Sequence, residues 1–210
     1  MRKLIRKLSD MRGISGFEYR LTDQIADMFK KYCDDVKIDS LGSVIAVKRS
    51  NKPNALKLMI EAHCDEIGLI VTSITDEGYL TFANVGGVDE RTLPSTEVTV
   101  HGKEDLWGVI GIKPNYLLEQ GKTAKLKELA VDTGLSAEKV KEIVAVGDSI
   151  TLAQSVGRLG KKQFSGKSLD DRASVAAIMR VMKNIKDLDI DIDVYAVAAV
   201  QEEVGCRGGK

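Results

Sequence analysis

The sequence predicts an α/β domain that is split by a β-rich, barrel-like insertion. Three observations support this fold class: an amphipathic helix near the amino end, closely spaced short strands in the middle, and a helix followed by an apolar strand near the carboxyl end. The expected boundaries put residues 1–67 and 165–210 in the α/β domain and residues 68–164 in the insertion. We therefore expect two domains, the first of them built from two separated segments.

The amino-terminal part of the chain predicts a helix over about residues 16–33. Apolar side chains such as Leu21 and Ile25 recur at helical spacing and form one stripe. Ser15 and Glu18 have the S-x-x-E spacing of a capping box, in which each side chain bonds to the other residue's backbone at a helix start. Turn signals then separate three expected strands, over about residues 35–38, 43–49 and 56–61.

Short strands dominate the middle of the chain, a pattern typical of a small barrel or sandwich. Two helices are expected to interrupt them, over about residues 124–131 and 137–144, and Ser136 can cap the second. The expected strands cover about residues 69–75, 79–83, 97–101, 107–112 and 149–153.

The carboxyl-terminal part returns to an α/β pattern. Val175, Ile178 and Met182 form one face of a predicted helix over about residues 171–185. The apolar run over residues 194–200 follows, and a continuous run of this kind suits a strand that is buried on both faces of a mixed or parallel sheet.

The composition excludes several classes of protein. The 210 residues carry 31 basic and 31 acidic side chains, so nonspecific binding to nucleic acid or anionic membranes has no support. No apolar run approaches the ~20 residues that span a bilayer. Cys33, Cys64 and Cys206 are odd in number and form no CxxC pair, which argues against a disulfide framework. A cytoplasmic protein is expected.

Two groups of metal-binding side chains lie where an element ends or begins. His63 and Asp65 are two residues apart, so on an extended chain they point to the same side, and the carboxylate could support the imidazole or itself bind a metal. Asp170 and Asp171 begin the predicted carboxyl-terminal helix. Acidic residues also favour helix starts for capping and dipole reasons, so this second group has an ordinary structural explanation as well.

A third group, Glu202 and Glu203, follows the apolar strand. Two consecutive carboxylates at the end of a buried strand have a high desolvation cost unless they bind something there. In open α/β sheets, ligands bind at the edge formed by the carboxyl ends of the strands. The side chains of neighbouring strand residues point to opposite faces, so Glu202 and Glu203 can face the same metal ion only if the chain turns at this point. Gly205, which follows closely, indicates such a turn. A solvated acidic strand end stays open as an alternative. Taken together, the three groups suit a divalent metal ion.

These segments resemble, in order and in local sequence, the M42 family of metalloaminopeptidases, which includes glutamyl aminopeptidases and proteins catalogued as cellulase-like. Where the family usually has Pro-Pro-His after a lysine, this chain has Lys113, Pro114, Asn115 and Tyr116. The similar segments extend over nearly the whole chain: GISGFE from Gly13, DSLG from Asp39, AHCDEIG from Ala62, GGVD from Gly86, GVIGIKP from Gly108, VDTG from Val131, LDDRAS from Leu169 and QEEVG from Gln201.

The resemblance implies a split zinc-peptidase-like α/β domain whose two metal ions, zinc or cobalt, serve an aminopeptidase. By motif position His63 would bind one ion, Asp170 would bridge both and Glu203 would bind the second. Asp65 would hold His63, and Glu202 would be the general base. Peptide substrates are implied, together with a homo-oligomer formed through the inserted domain, and with no nucleic-acid or membrane partner.

The family supplies two further ligands, an aspartate and a histidine, after the QEEVG segment. On that pattern each metal ion keeps two protein ligands in the 210 residues, so weak metal binding and weak activity are expected.

Four other functions are weighed against this one. A metal-free glycosidase needs two carboxylates on either side of the glycosidic bond, about 5–9.5 Å apart. The acidic pairs of this chain are neighbours in sequence, which does not predict such an arrangement. A phosphate-binding loop fails because Lys161 stands where glycine is required. A zinc site of His63, Cys64 and Cys206 lacks paired thiol spacing. A non-catalytic assembly protein or inactive fragment is the main alternative.

The other histidine of the chain, His101, is expected at the surface of an edge strand and not at a metal ion.

Overall fold

The structure is a computed structural model that describes residues 1–112 and 124–209. The segment Lys113–Tyr116, where the sequence departs from the M42 pattern, lies outside the described residues. Within them the α-helices are α1 (Arg2–Asp10), α2 (Tyr19–Phe29), α3 (Ala137–Ile143) and α4 (Leu169–Ile185). The strands are β1 (Asp35–Ile38), β2 (Val44–Lys48), β3 (Leu56–His63), β4 (Gly68–Ile74), β5 (Leu80–Val85), β6 (Glu97–His101), β7 (Asp105–Ile112), β8 (Leu129–Asp132), β9 (Ser149–Leu152), β10 (Gly157–Leu159), β11 (Gln163–Ser165) and β12 (Ile192–Ala199).

The chain forms two compact units. One consists of Met1–Glu66 together with Ser155–Lys210, and the other of Ile67–Gln154. The first contains α1, α2, α4 and a four-stranded mixed sheet, whereas the second contains a closed barrel. The predicted fold class is confirmed. The division into a peptidase domain and an oligomerisation domain stays a prediction.

The sheet of the first unit has the strand order β1-β2-β12-β3. The predicted apolar strand is β12, which pairs antiparallel with β2 and parallel with β3. Its small and branched side chains are buried, and α2 and α4 contribute Phe29, Met179 and Met182 to the same apolar core. Because β3 and β12 are parallel and in register, with Ala199 opposite His63, their carboxyl ends meet at one edge of the sheet.

Two predictions about the amino-terminal segment are wrong. Helix α2 begins at Tyr19 and not near Gly16, and Glu18, at its N-cap, makes no side-chain capping bond. The Ser15 hydroxyl instead donates to Asp65, so no capping box forms. Helix α1 was not predicted. It begins without a capping side chain, but it buries Leu8 in the core, and this burial stabilises a helix of only nine residues.

The second unit is a closed six-stranded barrel in the order β4-β5-β8-β7-β6-β9. The helix expected over residues 124–131 is wrong: Leu126–Glu128 form one 3₁₀ turn, and Leu129–Asp132 form β8. Leu129 and Val131 alternate with more exposed neighbours, which is the period of a strand with one face on the barrel core. Helix α3 agrees with its predicted range, and Ser136 stands at its N-cap, but the Ser136 side chain makes no capping hydrogen bond. In the described part of the chain, no helix is long and apolar enough to cross a membrane.

Candidate metal centre

The candidate site lies in the first unit, where the parallel strands β3 and β12 end. His63 is the last residue of β3, and the next residue, Cys64, donates its backbone N–H to the Ala199 carbonyl at 2.8 Å. After Val200 the chain turns, with Gln201 in the left-handed region at φ 56°. The sheet register therefore brings the residues after β12 next to the imidazole of His63.

The imidazole of His63 is the centre of the group. Its Nε2 atom lies 3.3 Å from Oδ1 of Asp170 and 3.8 Å from Oε2 of Glu202. One potential ligand atom each from His63, Glu202 and Glu203 can be chosen so that all three lie within 4.8 Å of one another. The structure thus brings side chains from all three of the groups singled out in the sequence together around the imidazole of His63.

Asp65 lies on the other side of the imidazole and is fully buried. Its backbone oxygen is 3.2 Å from His63 Nδ1, and its carboxylate Oδ1 is 3.5 Å from the same nitrogen. The carboxylate also accepts the backbone N–H of Glu202 at Oδ1 and that of Glu203 at Oδ2, each at 3.1 Å. One buried side chain therefore orients the histidine and also fixes the backbone of both glutamates.

The surroundings of Asp65 and His63 shift the pKa values of both side chains. Burial raises the pKa of Asp65, but hydrogen bonds from His63, Ser15 and the backbone outweigh burial and hold it below its usual value. For His63, burial lowers the pKa, but the carboxylates of Asp65, Glu202 and Asp170 outweigh it and raise the pKa to about 9. The same concentration of negative charge favours a divalent cation.

Asp170 stands at the start of α4, and its side chain is 90% exposed. Its neighbours hold it in place. The Nζ of Lys167 is 2.8 Å from Glu66 Oε2, and the hydroxyl of Ser168 donates a hydrogen bond to the same oxygen. On the other side of Asp170, the Nη2 of Arg172 is 3.2 Å from Glu66 Oε1. Because the residues on both sides of Asp170 are attached to one buried carboxylate, its position is fixed although its side chain is solvated.

Glu66 and Arg172 were not expected to contribute individually to the site, although the sequence contains a signal for Arg172. It lies three residues before Val175, so the 3.6-residue period of α4 places it on the buried face. A fully buried arginine needs an anionic partner, and Glu66 supplies it.

The cysteine-containing zinc site is not assembled. Cys64 is buried in the apolar core, where desolvation strongly raises the pKa of its thiol. Cys206 is exposed, and its Sγ donates to Glu202 Oε1 at 3.1 Å. Among the residues that the structure describes, the potential metal-binding group contains a histidine and two glutamates and no cysteine.

The expected position of His101 is also wrong. Strand β6 pairs with both β7 and β9, so it is not an edge strand, and the side chain of His101 is only 9% exposed. Its Nδ1 lies 2.8 Å from Asp105 Oδ1, and its Nε2 lies 2.9 Å from the hydroxyl of Thr151.

The donor set at the end of β3 and β12 fits a divalent metal. It consists of one imidazole nitrogen and several carboxylate oxygens, which zinc and cobalt accept and which magnesium or calcium would accept less readily because of the imidazole. The imidazole is oriented by Asp65, which is the usual arrangement for a histidine that binds a metal.

Comparisons with known proteins identify relatives by sequence and by fold. The chain is similar to the lysyl aminopeptidase of Pyrococcus furiosus, with 34% identity over 99% of this chain and 61% of that protein. Its fold is similar to aminopeptidase APDkam598 from the archaeon Desulfurococcus kamchatkensis, with a TM-score of 0.91 and 38% identity over 98% of this chain and 57% of the other.

The fold is also similar to the TET1 peptidase of Pyrococcus horikoshii, which can assemble into a tetrahedron or a large octahedral shell. The TM-score is 0.88 at 34% identity, over 99% of this chain and 63% of that one. The chain therefore spans about three fifths of the length of these relatives. The sequence pattern of the M42 glutamyl aminopeptidases matches residues 42–210, and the chain belongs to that family.

Proposed function

We propose that this chain carries the metal centre of an aminopeptidase that removes residues from the amino end of peptides. The observation that carries the proposal is the convergence of His63, Asp170, Glu202 and Glu203 at the carboxyl ends of two parallel strands. Family membership supports the same activity. A glycosidase is less well supported, because oxygen atoms of Glu202 and Glu203 lie within 4.8 Å and leave little room for a sugar between them.

Each side chain has a proposed role. His63 binds one metal ion, Asp170 bridges two ions and Glu203 binds the second. Asp65 holds the imidazole, and its position 3.5 Å or less from Nδ1 supports this role. Zinc and cobalt are the proposed ions because the set mixes one nitrogen with several oxygen ligands.

Bound divalent ions supply Lewis acidity toward a peptide carbonyl and lower the pKa of water. Glu202 is the proposed general base. Its side chain is 40% exposed, and it is kept in place by Asp65 at the backbone N–H and by the Cys206 thiol at Oε1. It can take a proton from the attacking water and return it to the amine that leaves.

Hydrolysis of amino-acid p-nitroanilides with titrated zinc or cobalt tests the proposal. Glu202→Gln removes the base and is expected to lower kcat by about 10²–10⁴-fold while metal affinity changes little. Glu61→Gln is the matched control, because this exposed glutamate lies on the same strand as His63 and outside the group. Undiminished activity in Glu202→Gln would contradict the assignment of the base. Metal-independent hydrolysis by the parent chain would contradict the metal centre.

We also propose that the unit Ile67–Gln154 mediates self-association. Its exposed apolar side chains include Trp107 and Val146. The assembly of the similar TET1 peptidase supports the proposal. Sedimentation velocity should show a species larger than a monomer, and Trp107→Glu should reduce it. A monomer at high micromolar concentration would contradict the proposal, whereas an assembly without hydrolysis would favour the non-catalytic alternative. Peptide substrates and a cytoplasmic location, both expected from the sequence, stay proposals.

A further inference from the structure

Glu18 is a buried carboxylate next to the metal centre that no step of the proposed chemistry uses. It is 5% exposed, at the N-cap of α2. Its Oε1 accepts the backbone N–H of Gln201 at 3.0 Å, across 183 positions of sequence. The helix itself gains no side-chain capping bond from it. The Glu18 side chain therefore connects the start of α2 to the turn after β12.

That turn carries two of the proposed site residues. Gln201 adopts a left-handed backbone at φ 56°, which a residue with a side chain holds only where its surroundings fix it. The next two backbone N–H groups, of Glu202 and Glu203, are bound by Asp65. Two buried carboxylates, Glu18 and Asp65, thus hold three consecutive N–H groups of the turn.

Burial of Glu18 has an energetic cost that the turn offsets. Desolvation raises the pKa of its carboxyl group above the usual value, although hydrogen bonds from the backbone, including Gln201, act in the opposite direction. A side chain that served only the core would be replaced at lower cost by an apolar one. What the carboxylate adds is a fixed acceptor at the position where the chain must turn.

We propose that Glu18 is a positioning residue for the metal centre. It fixes the backbone at Gln201 so that the carboxylates of Glu202 and Glu203 point toward the position shared with His63. This inference rests on the proposed metal centre. Groups that orient metal ligands from outside typically change metal affinity by about 10–100-fold when they are removed.

The test is the zinc affinity of the purified chain, measured by competition with a chelating dye, with the visible spectrum of bound cobalt as a second readout. Glu18→Ala is expected to weaken zinc binding at least about tenfold. Glu18→Gln keeps an oxygen that can accept from Gln201 and should recover much of that loss. Phe29→Leu, in the core beneath the same helix, is the control, because it lowers stability without touching the turn.

The possible outcomes separate this inference from the proposed function. Parent-like zinc affinity in Glu18→Ala would overturn the positioning role, and so would an equal loss in Phe29→Leu, which would show that stability alone decides. If Glu18→Ala does not fold, Glu18→Asp replaces it: the charge remains but the shorter side chain does not reach Gln201, and the same loss is expected. Failure of the parent chain to bind zinc would overturn the proposed centre, and the inference with it.

Discussion

Replacing Arg172 with methionine should remove a large part of the stability of the unit that contains the site. Arg172 is fully buried although it carries a charge. Its guanidinium donates to the Cys64 carbonyl at 2.7 Å and to Oε1 of Glu66 at 3.2 Å. Further bonds reach the end of α1 and the segment that follows it, at the backbone oxygens of Leu8, Ser9, Met11 and Gly13.

These contacts determine how much the free energy of unfolding falls in Arg172→Met. Removing one member of a buried ion pair costs about 3–5 kcal/mol. Glu66 keeps Lys167, whose Nζ lies 2.8 Å away, so the ion-pair part falls at the lower end of that range. Backbone oxygens that lose a donor and stay buried add about 1 kcal/mol or more. We expect a loss of about 4 kcal/mol, against a total of about 5–15 kcal/mol for a typical domain.

Urea denaturation followed by circular dichroism measures this loss. With an m value near 2 kcal/mol/M, about 4 kcal/mol moves the midpoint down by about 2 M. Arg180→Met is the matched control: it is an exposed arginine on the same helix and should change stability by less than about 0.5 kcal/mol. A loss below about 1 kcal/mol in Arg172→Met would refute the view that this network holds the unit together.

Two further predictions follow from the solvent exposure of thiol and apolar side chains. Folded protein at pH 8 should show one thiol that reacts rapidly with Ellman's reagent, Cys206. Cys64 is buried, and burial and the charge of Asp34 raise the pKa of Cys33 to about 11; three equally fast thiols would contradict this. Among the described strands β3 pairs only with β12 and exposes Leu58 and Met59, and an unpaired apolar strand edge favours association in addition to that expected from the unit Ile67–Gln154. Lysine at both positions should therefore reduce association in sedimentation velocity. Unchanged association would contradict the role of this edge.

Helices and strands could be predicted where the spacing of apolar residues along the chain determines them. Val175, Ile178, Met179 and Met182 repeat at helical spacing because α4 has one face on the core, and the apolar run over residues 194–200 forms most of β12, where all of its residues except Tyr195 are buried. The meeting of the three candidate groups at one edge of the sheet could be expected for a similar reason. Each stands where such an element ends or begins, and parallel strands end at the same edge of a sheet.

The errors arose where a distant partner decides the structure. Ser15 and Glu18 have the spacing of a capping box, but their side chains bond to Asp65 and Gln201, which lie 50 and 183 positions away. The segment before β8 has charged, helix-forming residues, but closure of the barrel places Leu129 and Val131 on its core face and selects a strand. Local propensity is a weak prior, and tertiary contacts overrode it at both places.

In the proposed centre, His63, Asp170 and Glu203 hold two metal ions. Crystals of this chain soaked in zinc and measured on both sides of the zinc absorption edge test this assignment directly. We expect two anomalous peaks about 3.5–4 Å apart, one of them about 2.1 Å from a ring nitrogen of His63, with Asp170 in contact with both. The absence of any peak within coordination distance of His63, or zinc bound only at the cysteines, would contradict it.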